Sequence, residues 1–183
     1  MGASTGGPAA LATVLRALPA ATPVPILVVQ HITAGFDAAL TTWLDETTPL
    51  RVRLAADGQP PAPGEVLVAP AGRHLGLSAT GRVELRQDPP LSGHRPSATH
   101  LFASVAHVVG ARGVGVVLTG MGGDGAAGLL ALRRAGGTVL AQDQASCVVP
   151  GMPAAAVAAG AVDEVVPLDQ LGARIAATWT PAC

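Results

Sequence analysis

Four short apolar runs, at 25–30, 65–69, 114–119 and 137–141, recur along the chain with stretches of helical spacing between them. Each run is too short for a helix and shows no polar alternation, so each predicts a strand buried on both faces. The intervening stretches, near 8–18, 37–46, 97–110, 124–135, 153–160 and 168–178, carry helix-period apolar residues bounded by Gly, Pro or Asp. This alternation predicts an open α/β fold: a doubly wound, mostly parallel sheet with helices on both faces. Residues 72–87 break the pattern. Two short alternating runs, 73–78 and 82–86, meet at Ala79-Thr80-Gly81 and read as a β-hairpin insertion. The proline-rich stretches at 59–63 and 88–96 are too short and too apolar for linkers, and no repeat interrupts the chain. A single domain over 1–183 is the expectation.

Charge narrows the function classes. With a net charge of -1 and only 13% charged residues, the chain has no broad attraction for phosphate or acidic lipid, which argues against a nucleic-acid partner. All 11 cationic side chains are arginine, so a Schiff-base lysine, a lysine base and the lysine of a phosphate-binding loop are all excluded. Cys147 and Cys183 make no disulfide framework, and the setting reads as reducing and cytoplasmic. The small-residue stretch 154–162 is too short to span a bilayer and is broken by Gly160. Neither membrane insertion nor a secretory signal is expected. His74, His94, His100 and His107 lack close spacing to Cys or acidic partners, so no metal site is expected; His100 and His107 lie one heptad apart on a predicted helix.

Ligands of open α/β sheets bind at the carboxyl ends of strands. Four polar residues fall there: Ser4 in the opening Gly-rich turn, His31 after the run ending at Gln30, Asp124 in Gly120-Met121-Gly122-Gly123-Asp124-Gly125, and Asp143. A serine hydroxyl needs an imidazole to take its proton, and the imidazole needs an acid to fix its tautomer. Ser4, His31 and one aspartate supply those roles. Glycines 2, 6 and 7 permit a tight turn that frees backbone N–H groups for an oxyanion, with the Thr5 N–H the leading donor.

Each residue also has a plainer reading. A Ser-Thr pair before a helix is commonly an N-cap, His31 can serve a loop, and Asp124 can cap the helix that begins beside it. Asp143 reads as a turn or cap residue. Gly2-Ala3-Ser4-Thr5-Gly6 matches the Gly-x-Ser-x-Gly elbow formally, but the order Ser4, His31, Asp124 differs from that of α/β-hydrolases. The glycine-rich turn at 120–125 is weak support for nucleotide binding.

Taken together, several motifs occur in a specific order: Gly2-Ala3-Ser4-Thr5-Gly6-Gly7-Pro8, Val29-Gln30-His31 with Gly35-Phe36, Ala69-Pro70 with His74, and Arg95-Pro96-Ser97. They continue with Leu118-Thr119-Gly120-Met121-Gly122, Asp124-Gly125-Ala126, Ala141-Gln142-Asp143 and Gly151-Met152-Pro153. The set resembles the catalytic domain of the chemotaxis protein-glutamate methylesterase family, CheB, over essentially the whole chain. The resemblance implies Ser4 as nucleophile, His31 as base and Asp124 as acid, with Thr5 and Met121 lining the site. Arg95 is a further substrate-binding candidate, weighted towards supporting its loop. It implies hydrolysis of glutamate γ-methyl esters on the cytoplasmic helices of methyl-accepting chemoreceptors, deamidation of glutamine in some members, and no cofactor. A non-catalytic receptor-binding module and an esterase acting elsewhere are the alternatives. The chain also departs from the family pattern: the strand leading into the serine turn is expected to be reduced to Met1, and the receiver domain that usually precedes the catalytic domain is expected to be absent. Ile32-Thr33, Cys147 and Pro150 depart from the family's usual residues.

Overall fold

The computed structural model describes residues 1–179; Cys183 lies outside the described residues. In chain order the elements are β1 (Gly2–Ala3), α1 (Gly7–Arg16), β2 (Ile26–Gln30), α2 (Asp37–Thr47), β3 (Arg51–Leu54), β4 (Glu65–Val68), β5 (His74–Leu77) and β6 (Val83–Arg86). There follow α3 (Ala98–Val108), β7 (Val114–Val117), α4 (Ala126–Arg134), β8 (Thr138–Gln142), α5 (Gly151–Ala158), β9 (Glu164–Val166) and α6 (Leu168–Ala177).

The apolar runs become the interior strands of a 7-stranded sheet ordered β3-β4-β2-β1-β7-β8-β9, in which every pairing is parallel. Successive residues of a strand face opposite sides, which explains why the runs are apolar at every position. Val28 joins the cluster built with Leu11 and Leu15 of α1, Leu44 of α2 and Ile175 of α6. Its neighbour Val29 joins the cluster built with Phe102 of α3, Leu132 of α4 and Met152 of α5. Two cores thus sandwich the sheet, each fully buried leucine contributing about 1.5–3 kcal/mol. The hairpin β5–β6 is antiparallel and packs Leu75 and Val83 into the α3 side, where the Leu77 N–H donates to Ser104 Oγ of α3 (3.0 Å). Among the described residues, no helix is long and apolar enough to cross a membrane.

One expectation needs correction: the strand ahead of the serine turn is more than Met1. Gly2 and Ala3 form β1 between β2 and β7. The Val29 N–H donates to the Met1 carbonyl (2.9 Å), Leu118 N–H to Gly2 (2.9 Å), His31 N–H to Ala3 (3.0 Å) and Ser4 N–H to Thr119 (3.0 Å). Two flanking strands hold what two small residues could not specify alone. From β1 the chain builds outward on one side through β2 and on the other through β7, so the order reverses here. In open α/β sheets ligands bind at such a reversal, outside the carboxyl ends of the strands, here β1, β2 and β7.

Candidate active site

Ser4 is the residue immediately after β1, in the turn that starts α1. The N-cap of α1 is Gly6, at φ 79, with no side-chain cap. The capping role open to Ser4 is therefore not the one the chain adopts. A left-handed φ is costly for residues with a Cβ, and any Cβ at Gly6 would stand 2.7 Å from the Val148 Cβ. Gly120 is needed for a different reason: its Cβ would sit 2.7 Å from the Ser4 Cβ and collide with the Met152 sulfur. The buried Gln30 side chain ties the turn to the next strand, its Nε2 donating to the Ser4 carbonyl (2.8 Å) and the His31 carbonyl (2.9 Å).

His31 follows β2, and its Nε2 lies 2.8 Å from Asp124 Oδ2. Asp124 is buried, and its carboxylate accepts three further hydrogen bonds: Ser97 Oγ (2.7 Å) and Thr99 N–H (3.0 Å) on Oδ1, and Ala98 N–H (2.7 Å) on Oδ2. Burial alone would raise its pKa. The donors His31 and Ser97 and the Thr99 and Ala98 amides outweigh burial and hold the carboxyl well below the usual range. Ionised Asp124 is an acceptor only, so Nε2 carries the ring proton and Nδ1 is the free base nitrogen. Among the described residues Nδ1 is buried without a hydrogen-bond partner.

The capping role of Asp124 also differs from expectation. The N-cap of α4 is Gly125, with no side-chain cap. Asp124 instead accepts from the first amides of α3, whose N-cap is Ser97. The acid thus sits at the positive end of a helix distant in sequence. Asp143 caps the short 3-10 turn Gln144–Ser146 by accepting from the Ser146 N–H (3.3 Å).

Thr5 is exposed beside Ser4, and its N–H meets no acceptor among the described residues. The Met121 N–H is likewise without an acceptor among them, and its side chain is 67% exposed. Arg95 is exposed, and its guanidinium donates to the Gln87 (3.2 Å) and Asp88 (3.1 Å) carbonyls; it braces its own loop. Among the described residues no group of three or more His, Cys, Asp and Glu could hold a metal ion. The sequence named Gln30, Ser97 and Thr119 only as motif positions and His94 only as a rejected metal ligand, with no role for any of them at the site. Thr119 Oγ1 donates to the Thr5 carbonyl (2.9 Å) and accepts from the Val149 N–H (2.9 Å), joining the loops around Ser4. The His94 ring stacks on His31 with centroids 3.9 Å apart. Local sequence carries no signal for such contacts, except that Gln30 and Thr119 are polar residues ending apolar runs.

A doubly wound parallel sheet with serine, histidine and aspartate at its switch point defines the class of molecule. The family model for the CheB methylesterase matches residues 1–175. This chain belongs to the CheB methylesterase family. It is 55% identical over 175 residues, 95% of its length, to protein-glutamate methylesterase/protein-glutamine glutaminase 3 of Anaeromyxobacter dehalogenans, of which it covers 51%. It is 49% identical over 181 residues, 99% of its length, to protein-glutamate methylesterase FrzG of Myxococcus xanthus, of which it covers 54%. The chain therefore spans about half the length of the curated relatives it matches. The crystal structure of the Thermotoga maritima CheB methylesterase catalytic domain matches with a TM-score of 0.93 at 38% identity, covering 96% of this chain and 95% of that one.

Proposed function

We propose that residues 1–183 act as one cytoplasmic catalytic domain that hydrolyses glutamate γ-methyl esters on the cytoplasmic helices of methyl-accepting chemoreceptors, releasing methanol, and that deamidates receptor glutamines. The observation that carries this reading is the His31–Asp124 pair, 2.8 Å apart, which leaves Nδ1 without a hydrogen-bond partner among the described residues and so free to act as the base. The names of the relatives support the substrate, since they pair a methylesterase with a glutaminase.

The chemistry follows from the positions. The Ser4 hydroxyl attacks the ester carbonyl as His31 Nδ1 takes its proton, and Asp124 stabilises the imidazolium through Nε2. The Thr5 and Met121 N–H groups receive the oxyanion. Collapse expels methoxide, which takes the Nδ1 proton and leaves as methanol; the receptor glutamate stays esterified to Ser4. Water, deprotonated by the same nitrogen, then releases free carboxylate. With a glutamine amide the same sequence expels ammonia. Every proton transfer is handled by groups of this chain.

Methanol release from a methylated receptor fragment, with ammonia release from its glutamine form, tests the reading. Turnover of small esters without methanol from the fragment would replace it with a different esterase. Binding of the fragment without either product would replace it with a binding module.

A further inference from the structure

The ring stacked on His31 belongs to no role so far described. His94 lies with its plane 2° from that of His31 and its centroid 3.9 Å away, so the two imidazoles overlap face to face. The segment carrying it is built for a fixed position. Leu91 and His94 exchange both backbone hydrogen bonds (3.1 and 2.9 Å), and Ser92 (φ 50) and Gly93 (φ 83) between them are both left-handed, the geometry of a two-residue hairpin turn. The Arg95 guanidinium braces the same loop against the Gln87 and Asp88 carbonyls, and the buried His74 ring sits 3.2 Å from the Pro89 carbonyl. Three residues beyond His94, Ser97 donates to Asp124 (2.7 Å). One segment therefore touches the base through His94 and the acid through Ser97.

We propose that His94 is a positioning residue for the base: its ring covers one face of His31, fixes the plane in which Nδ1 meets Ser4, and shields the Nε2–Asp124 hydrogen bond from water. The inference rests on His31 acting as base. The electrostatics fit such a role. Burial first, and then the charge of His31 alongside, lower the His94 pKa against an opposing pull from Asp124. Protonating His94 against the face of His31 is therefore disfavoured.

The test compares His94→Ala, which removes the ring, with His94→Phe, which keeps a flat face without nitrogens. Methanol release from a methylated receptor fragment by His94→Ala should show kcat lowered on the order of 10- to 100-fold with KM little changed, the effect expected when a reacting group loses its orientation. His94→Phe should recover most of that loss. A second readout needs no activity: the proton NMR signal of His31 Nε2–H should persist in the wild type and His94→Phe and broaden through water exchange in His94→Ala. Wild-type kcat in folded His94→Ala, or equal losses in both variants, would overturn the role. An unchanged Nε2–H signal in His94→Ala would overturn it even for a protein with another substrate. An inactive wild type with the predicted NMR pattern would instead fault the assigned reaction.

Discussion

Asp124→Asn separates the electrostatic role of the acid from its packing, because the side chain keeps its size. Asp124 Oδ1 faces Ser97 Oγ and the Thr99 N–H; Oδ2 faces His31 Nε2 and the Ala98 N–H. An asparagine must turn its NH2 toward one of these pairs. The Ser97 hydroxyl and the His31 ring can each adapt by becoming acceptors, but the backbone N–H in either pair cannot. One buried amide is stranded at about 1–3 kcal/mol, and the N-terminus of α3 loses a charge worth about 0.3–1 kcal/mol. We expect Asp124→Asn to lower the unfolding free energy by about 1–4 kcal/mol at pH 7. The pH dependence follows from the direction of the pKa shift. A carboxyl whose folded-state pKa is depressed contributes stability that is full above the unfolded value and is lost as pH falls through the folded one. With an unfolded value of about 3.9, the wild-type advantage should shrink by about 1.3 kcal/mol between pH 7 and pH 3. Urea unfolding of both proteins at the two pH values measures this difference directly. A stability difference that does not change with pH would refute the reasoning. Turnover should fall on the order of 10⁴-fold, as expected when a triad carboxylate no longer fixes the imidazole.

Two further substitutions probe how the turn holds Ser4. Gln30→Ala leaves the Ser4 and His31 carbonyls without their shared donor; a loss of about 2 kcal/mol in denaturant unfolding is expected, with kcat falling more than KM rises. Gly120→Ala forces a Cβ against Ser4 and the Met152 sulfur; thermal unfolding should report about 1–3 kcal/mol of overpacking, with turnover reduced beyond what the stability loss explains.

The interior of the fold was legible because burial on both faces leaves one kind of residue. β2, β4, β7 and β8 coincide with the four apolar runs to within two residues at each end, and the six helical stretches match α1 to α6. What was illegible lies at the edges and in the middle of the sheet. β3 sits at an edge, where Arg51 and Arg53 are exposed and break any apolar run; β9, at the other edge, has three residues with Val165 half exposed. β1 is Gly2–Ala3, central but without side chains that could announce a strand. At the site, Ser4, His31 and Asp124 were legible as polar residues following strands. The helix that Asp124 caps was not, because the contact with α3 spans 26 residues and depends on how the loops meet. The same holds for His94, whose turn is local but whose stacking partner lies 63 positions earlier in the chain.

The central claim is that Ser4 is the nucleophile that His31 activates. Methanol release from a methylated receptor fragment by wild type and by Ser4→Ala, at matched circular dichroism, tests it most directly. Loss of the nucleophile should reduce release on the order of 10³-fold or more. Release by folded Ser4→Ala at the wild-type rate would contradict it.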